Sequence, residues 1–113
     1  MKVLKHTTDN KDWIAWYLME SNSHAFSKAH MYKNDNFIIL SELSVSSNFR
    51  NKGLGTKMQE LREQLGVSLG CTESYLWVEK GSWMEGWYKR RGYKYFSDHK
   101  DEPDNIWMVK NLT

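Results

Sequence analysis

The chain has 113 residues, 16 of them Lys or Arg and 14 Asp or Glu, for a formal net charge of +2. A chain of that length buries roughly two-thirds of the surface it exposes when unfolded, so residues 1–113 are expected to form a single domain around one core, without a linker. The near balance of charge excludes the general basic excess that follows duplex phosphates, and leaves only a local site for any anion.

Cys71 is the only cysteine. It has no partner for an intramolecular disulfide and no Cys or His at metal-ligand spacing, which fits a reducing compartment and a small apolar side chain rather than a nucleophile. The stretch Met1–His6 lacks the apolar core of a secretory signal, and no apolar run reaches the roughly 18 residues that cross a bilayer. A cytoplasmic protein without membrane contact is the expectation. The six Trp and six Tyr supply large buried area to a core poor in Ile and Val.

Along the chain, the first legible segment is Trp13–Met19, an apolar run too short to settle between a helix starting near Asp9 and a strand. Ser23–Lys33 reads as a strand that pairs across the turn Asn34-Asp35-Asn36 with a second, Phe37–Val45, whose residues Phe37, Ile39, Leu43 and Val45 are expected on one face. Leu54, Met58, Leu61 and Leu65 then recur at helical spacing, with Gly66 expected to end the helix in the left-handed conformation. Tyr75–Val78 reads as a buried strand. Ser82-Trp83-Met84-Glu85 matches a capping box opening a second helix, which is expected to run to Arg91 and stop at Gly92. The acidic stretch Asp98–Asn105, with Pro103 inside it, reads as a turn before a last strand, Ile106–Val109.

Arg50-Asn51-Lys52-Gly53-Leu54-Gly55-Thr56 lies between a strand and a helix, and this is an anion site for a physical reason. The first-turn amides have no intrahelical acceptor, and the helix dipole adds positive potential. Gly53 and Gly55 keep side chains off those amides, while Arg50 and Lys52 bring charge to the rim. The dinucleotide pattern fails because its third glycine would fall at Met58, and a P-loop fails because no Gly-Lys-Ser/Thr follows.

Val45, Arg50, Gly53 and Gly55, in that order and spacing, resemble the acetyl-CoA motif of the GNAT superfamily of N-acetyltransferases. Trp87-Tyr88-Lys89-Arg90-Arg91-Gly92-Tyr93 resembles that family's second landmark, and the likeness spans about residues 23–112. It implies an α/β (α+β) fold with a mixed, mostly antiparallel central sheet flanked by helices. The sheet would splay between its fourth and fifth strands, here Phe37–Val45 and Tyr75–Val78. The cosubstrate would be acetyl-CoA, with no metal. Leu43, Ser44 and Val45 would hold the pantetheine arm, and Arg50, Asn51, Lys52, Gly53, Leu54, Gly55 and Thr56 the pyrophosphate. Tyr88 would be the general acid for the departing thiolate. An amine, small or protein-borne, would attack the thioester directly in a ternary complex, with Glu42 as first candidate for the base and Glu79 and His30 in reserve. Where such proteins usually carry an asparagine this chain has Gly81, and Ser82 is the candidate substitute. Their N-terminal region, which helps to wall the acceptor site, is usually longer. Acetyl against longer acyl donors stays open, and the surplus aromatics would allow a homodimer. Two alternatives remain: a non-catalytic CoA-binding or regulatory domain of the same fold, and a nucleic-acid module using Lys89-Arg90-Arg91. The remaining histidines, His6, His24 and His99, are expected on the surface, at no metal-ligand spacing.

Overall fold

The computed structural model describes residues 2–113. Among them run strands β1 (Val3–Asp9), β2 (Trp13–Glu20), β3 (Ala25–Tyr32) and β4 (Phe37–Val45), helix α1 (Leu54–Ser68), β5 (Glu73–Glu79), helix α2 (Trp83–Lys89), β6 (Lys94–Asp98) and β7 (Asn105–Asn111). They form one seven-stranded sheet in the order β1-β2-β3-β4-β5-β7-β6. Only β4 and β5 pair in parallel, the mixed sheet expected from the sequence.

Three short turns build the β1–β4 meander. Asn10 Oδ1 accepts the amides of Asp12 and Trp13, the Glu20 carboxylate accepts the amide of Asn22, and the Asp35 amide donates to Tyr32 O. The run at Trp13 is a strand: Trp16, Leu18 and Glu20 are buried while Tyr17 and Met19 are exposed, the period of two that a strand imposes. β1 escapes the sequence reading because, as an edge strand, it buries neither face and shows no periodicity.

Both helices pack on the same sheet face. Trp16, Ala29, Ile38, Leu40, Leu76 and Met108 form its main core, joined by Leu65 of α1 and by Met84 and Trp87 of α2. The opposite face carries Tyr17, Lys28, His30, Tyr32, Tyr75 and Trp77, and no helix of the described residues covers it. The helices therefore flank one side of the sheet.

Two sequence expectations need correction. In β4 the odd positions do not share a face throughout: Ser27 pairs with Leu43 but Lys28 with Ser41, so Glu42 is the extra residue of a bulge. Because side-chain facing has period two, that residue flips the parity. Ile38 and Leu40 face the helices before the bulge, Leu43 and Val45 after it, while Phe37 packs on the other face against Tyr75. Gly66 does not end α1 either. It lies within the helix, buried, where a Cβ would come 2.9 Å from Ile38 Cγ2. A bare Cα brings helix and sheet together there, and the chain turns at Gly70 (φ +81°) instead.

β4 and β5 pair only over Phe37–Leu40 and Glu73–Leu76. Beyond them β5 stays paired with β7 along its whole length, so the C-terminal half of β4 loses its β5 neighbour. A gap opens on that side, at the start of α1 and under α2.

Candidate active site

After β4, a single 3₁₀ turn (Ser47–Phe49) leads to Asn51 (φ +61°) and Gly53 (φ +83°), both left-handed. Asn is one of the few side chains that tolerate this region, and glycine enters it freely. The double reversal lets α1 start at Leu54, its first turn beside the end of β4, where a Cβ on Gly55 would stand 3.7 Å from Val45 Cγ2 and where the first amides have no intrahelical acceptor. No side chain caps this end, which leaves those amides to a ligand.

The gap is a cleft of about 850 Å³. Leu43, Ser44 and Val45 line it from β4; Arg50, Asn51, Gly53, Gly55 and Thr56 from the glycine turn; and Trp83, Met84, Trp87 and Arg91 from α2 and the residues after it. The side chains of three other residues expected to hold the cofactor are engaged outside that lining. Lys52 extends over the Phe49 ring, its Nζ 5.3 Å from the centroid, and Leu54 packs into a core cluster with Leu18 and Met58. Ser82 is spent on capping, its Oγ accepting the Glu85 amide at 3.3 Å. The Glu85 carboxylate reaches back to the Gly81 amide at 2.8 Å, and that bond, followed by Lys89, holds it below the usual carboxylate range.

Arg91, in the sequence one of three consecutive cations, is a lining residue. It compensates the carbonyl end of α2, donating through Nη1 to Trp87 O at 3.0 Å. Nη2 also donates to Thr56 Oγ1 at 3.0 Å, and the guanidinium stacks 3.5 Å from the Trp87 ring centre. It thereby ties the end of α2 to the start of α1 and puts a second cation beside Arg50 in the cleft. Burial, then the charge of Arg90, lowers its pKa from the arginine value. The signal in the sequence was the run of three cations itself.

Tyr88 does not itself line the cleft but is buried next to Trp87, which does; it is 5% exposed, with its ring edge-on to Trp87 at 5.0 Å and to Tyr93 at 5.4 Å. Its hydroxyl oxygen accepts from Arg62 Nη2 at 3.1 Å, which leaves the phenolic proton available to another acceptor. Arg62 belongs to a buried polar layer that no apolar periodicity announced. The residues of α1 that are most buried are Met58, Gln59, Arg62 and Gly66, while Leu54, Leu61 and Leu65 are only half-buried. Gln59 Nε2 donates to Tyr93 OH at 3.0 Å and to Glu63 at 2.8 Å. Tyr93 OH shares a 2.8 Å bond with Ser74, and Lys110 closes on Glu63 at 2.7 Å. Burial pushes the Tyr93 phenol well above its ordinary pKa.

The candidate bases separate. Glu42, the bulge residue, is exposed, and Lys28 lies 3.5 Å from its carboxylate. His30 lines a shallow groove of about 220 Å³ with Trp13, Tyr17, Lys28, Tyr32 and Ser41, on the uncovered sheet face. Burial lowers its pKa, which favours the neutral imidazole. Glu79, exposed at the end of β5, lines neither cleft. Cys71 is buried, and burial raises its thiol pKa, the inert state. Among the described residues no three His, Cys, Asp or Glu side chains converge on a metal position, and no helix is long and apolar enough to cross a membrane.

Comparison with known proteins bears on the family and the fold. The model of a family described as acetyltransferase (GNAT) matches residues 4–93. Among solved structures, the chain is similar to the PaiA N-acetyltransferase of Thermoplasma acidophilum in complex with coenzyme A (TM-score 0.71, 18% identity, 88% of this chain and 61% of that one). It is similar also to the ribosomal-protein-S18-alanine N-acetyltransferase of Escherichia coli (TM-score 0.70, 16% identity, 93% and 72%). A third is N-acetylglutamate synthase of Neisseria gonorrhoeae, complexed with coenzyme A and N-acetyl-glutamate (TM-score 0.73, 12% identity, 88% of this chain but 26% of that one). At these identities the likeness is one of fold. No curated protein sequence matches the chain.

Proposed function

The chain belongs to the GNAT acetyltransferase family, and on that footing we propose that it transfers an acetyl group from acetyl-CoA to a primary amine by direct attack in a ternary complex. The observation that carries the reading is the cleft: uncapped amides at the start of α1, two arginines beside them, and a stretch of β4 without its β5 partner, all in one space.

Each part has a task in such a reaction. The first-turn amides of α1, with Arg50 and Arg91, take the pyrophosphate. Backbone groups of Leu43–Val45 bond the pantetheine arm and the thioester carbonyl, stabilising the charge that develops on its oxygen. The amine nitrogen forms the new bond to the acyl carbon as the carbon–sulfur bond breaks. Glu42, directly or through water, takes the proton that the amine gives up, and Tyr88 supplies one to the departing sulfur. The acceptor, a small or protein-borne amine, enters from the uncovered sheet face, where Glu42 and Lys28 lie and no helix stands in the way.

Calorimetric titration with acetyl-CoA tests the site. The wild type is expected to bind, and a Gly53→Glu/Gly55→Glu variant to lose at least about a hundredfold in affinity, because two carboxylates would occupy the anion position. Unchanged binding by the variant would move the cofactor elsewhere. The rival reading, a CoA-binding domain without turnover, draws on Gly81 and on the engagement of the Tyr88 hydroxyl with Arg62. Tyr88→Phe separates the two. For an enzyme it keeps acetyl-CoA affinity and loses about 10²-fold or more in turnover against a panel of primary amines; a wild type that binds acetyl-CoA and acetylates none of the panel favours the rival.

A further inference from the structure

Arg62 has 0% exposure, and none of its hydrogen-bond acceptors is a carboxylate. Nη1 donates to the carbonyl oxygens of Lys28 (3.1 Å), Ser41 and Glu42 (3.3 Å), and Nη2 to Gln59 Oε1 (2.6 Å) and to the Tyr88 hydroxyl. Nε finds no partner among the described residues. A guanidinium held this deep without a counter-charge bears a large desolvation penalty, and an apolar side chain of similar length would pack the same space without it. Packing alone therefore does not account for an arginine here.

What the guanidinium touches does. It grips the bulge of β4 just past Leu40, where pairing with β5 ends, and with its other nitrogen it grips the hydroxyl of Tyr88. A trans peptide sets its N–H opposite its C=O. The planes whose carbonyls are Ser41 O and Glu42 O carry the N–H groups of Glu42 and Leu43, so holding those carbonyls on Arg62 fixes the directions of both donors. A charged donor on each carbonyl also polarises the peptide and strengthens the N–H at its other end. Leu43 lines the cleft.

Resting on the acetyl-transfer reading above, we propose that Arg62 is a positioning residue for that reaction: one buried guanidinium sets both the backbone donors of the β4 bulge that polarise the thioester carbonyl and the phenol that serves the leaving sulfur. Arg62 touches neither reactant and acts through Leu43 and Tyr88. Lysine, a single point charge, cannot span both sets of acceptors.

The test uses acetyl-CoA labelled with ¹³C at the thioester carbonyl, bound to the full chain, with the carbonyl stretch followed by isotope-edited infrared spectroscopy beside calorimetric affinity. The wild type is expected to lower the stretching frequency relative to free acetyl-CoA. Arg62→Met should lose more than half of that shift while its affinity stays within about threefold, since the pyrophosphate contacts are untouched. With an accepting amine, kcat should fall about tenfold or more with little change in KM for acetyl-CoA. Arg62→Lys should recover part of the shift, and it decides the matter if the methionine variant does not fold. A purely structural role would not move the carbonyl band at constant affinity. A full shift in a folded variant, or a wild type that binds acetyl-CoA with no shift, overturns the proposal alone; a wild type that does not bind acetyl-CoA removes the transfer reading beneath it as well.

Discussion

The two faces of the sheet are built on opposite plans. On the helix side, apolar side chains from β2, β3, β4, β5 and β7 close over Met58 and Gly66 of α1, and a polar layer of Arg62, Gln59, Tyr93, Ser74 and Glu63 runs through the packing with most of its bonds made. On the other side aromatic and charged residues stand in half-exposed rows: Tyr17 stacks on Phe26, Lys28 lies over both rings, and His99 stacks on Trp107. One face holds the core and the cleft, and the other is uncovered by the helices; on the acetyl-transfer reading proposed above, the packed side would orient the cosubstrate and the open side would admit the acceptor.

The contrast predicts unequal mutational costs. Met58 has 0% exposure, so Met58→Ala removes a core side chain and leaves a cavity, with an expected loss of about 2–5 kcal/mol in chemical denaturation. Tyr17→Ala, on a ring 37% exposed, is expected to lose under about 1 kcal/mol. Equal losses would mean that the second face is covered in solution.

Gly66 sharpens the same point at a single atom. Gly→Ala within a helix ordinarily stabilises by about 1 kcal/mol. Here the added methyl would meet Ile38 Cγ2 at 2.9 Å and Leu112 Cδ1 at 3.1 Å, and Ile38 is itself fully buried with no room to retreat. Gly66→Ala is therefore expected to destabilise by a net of about 1–2 kcal/mol, read as a lower denaturation midpoint. A rise in the midpoint would show that helix and sheet are less tightly apposed than these distances say.

Much of this architecture could be read before any coordinate. The glycine turn, the start of α1 at Leu54, the Ser82 cap and the strands at β4, β5 and β7 follow from local chemistry: left-handed glycines, hydroxyl caps and short apolar runs. Besides the edge strand β1, three features could not be read. The bulge at Glu42 is a property of the β3–β4 register and has no residue signature of its own. Nothing in the sequence marks Arg62 and Gln59 as inside residues, because a polar side chain becomes one only when distant carbonyls and hydroxyls, here those of Ser41, Tyr88 and Tyr93, come to meet it. Arg91 was legible as a cation but not as a cleft residue, since its link to Thr56 joins residues 35 positions apart.

The smallest expected effect concerns the open face itself. His30 is half-buried among Trp13, Ala15 and Tyr32, and the charged and titratable groups that line the same groove or lie beside it are Lys28, Glu42, Tyr17 and Tyr32. Burial lowers its pKa from 6.5. Between the folded-state pKa and 6.5, the unfolded chain binds the proton more readily than the folded one, so stability rises with pH across that interval. Stability contributed by the neutral imidazole is thus fully present above pH 6.5, is lost as pH falls from there, and declines no further once both states are protonated. His30→Gln, which keeps a polar side chain but cannot titrate there, should flatten the fall in denaturation midpoint between about pH 7 and pH 5, and the change should be modest because solvent screens a group so exposed. An unchanged slope in the variant would assign the acid sensitivity to other groups, and would leave His30 as an aromatic spacer in the groove rather than a neutral imidazole ready to accept a proton.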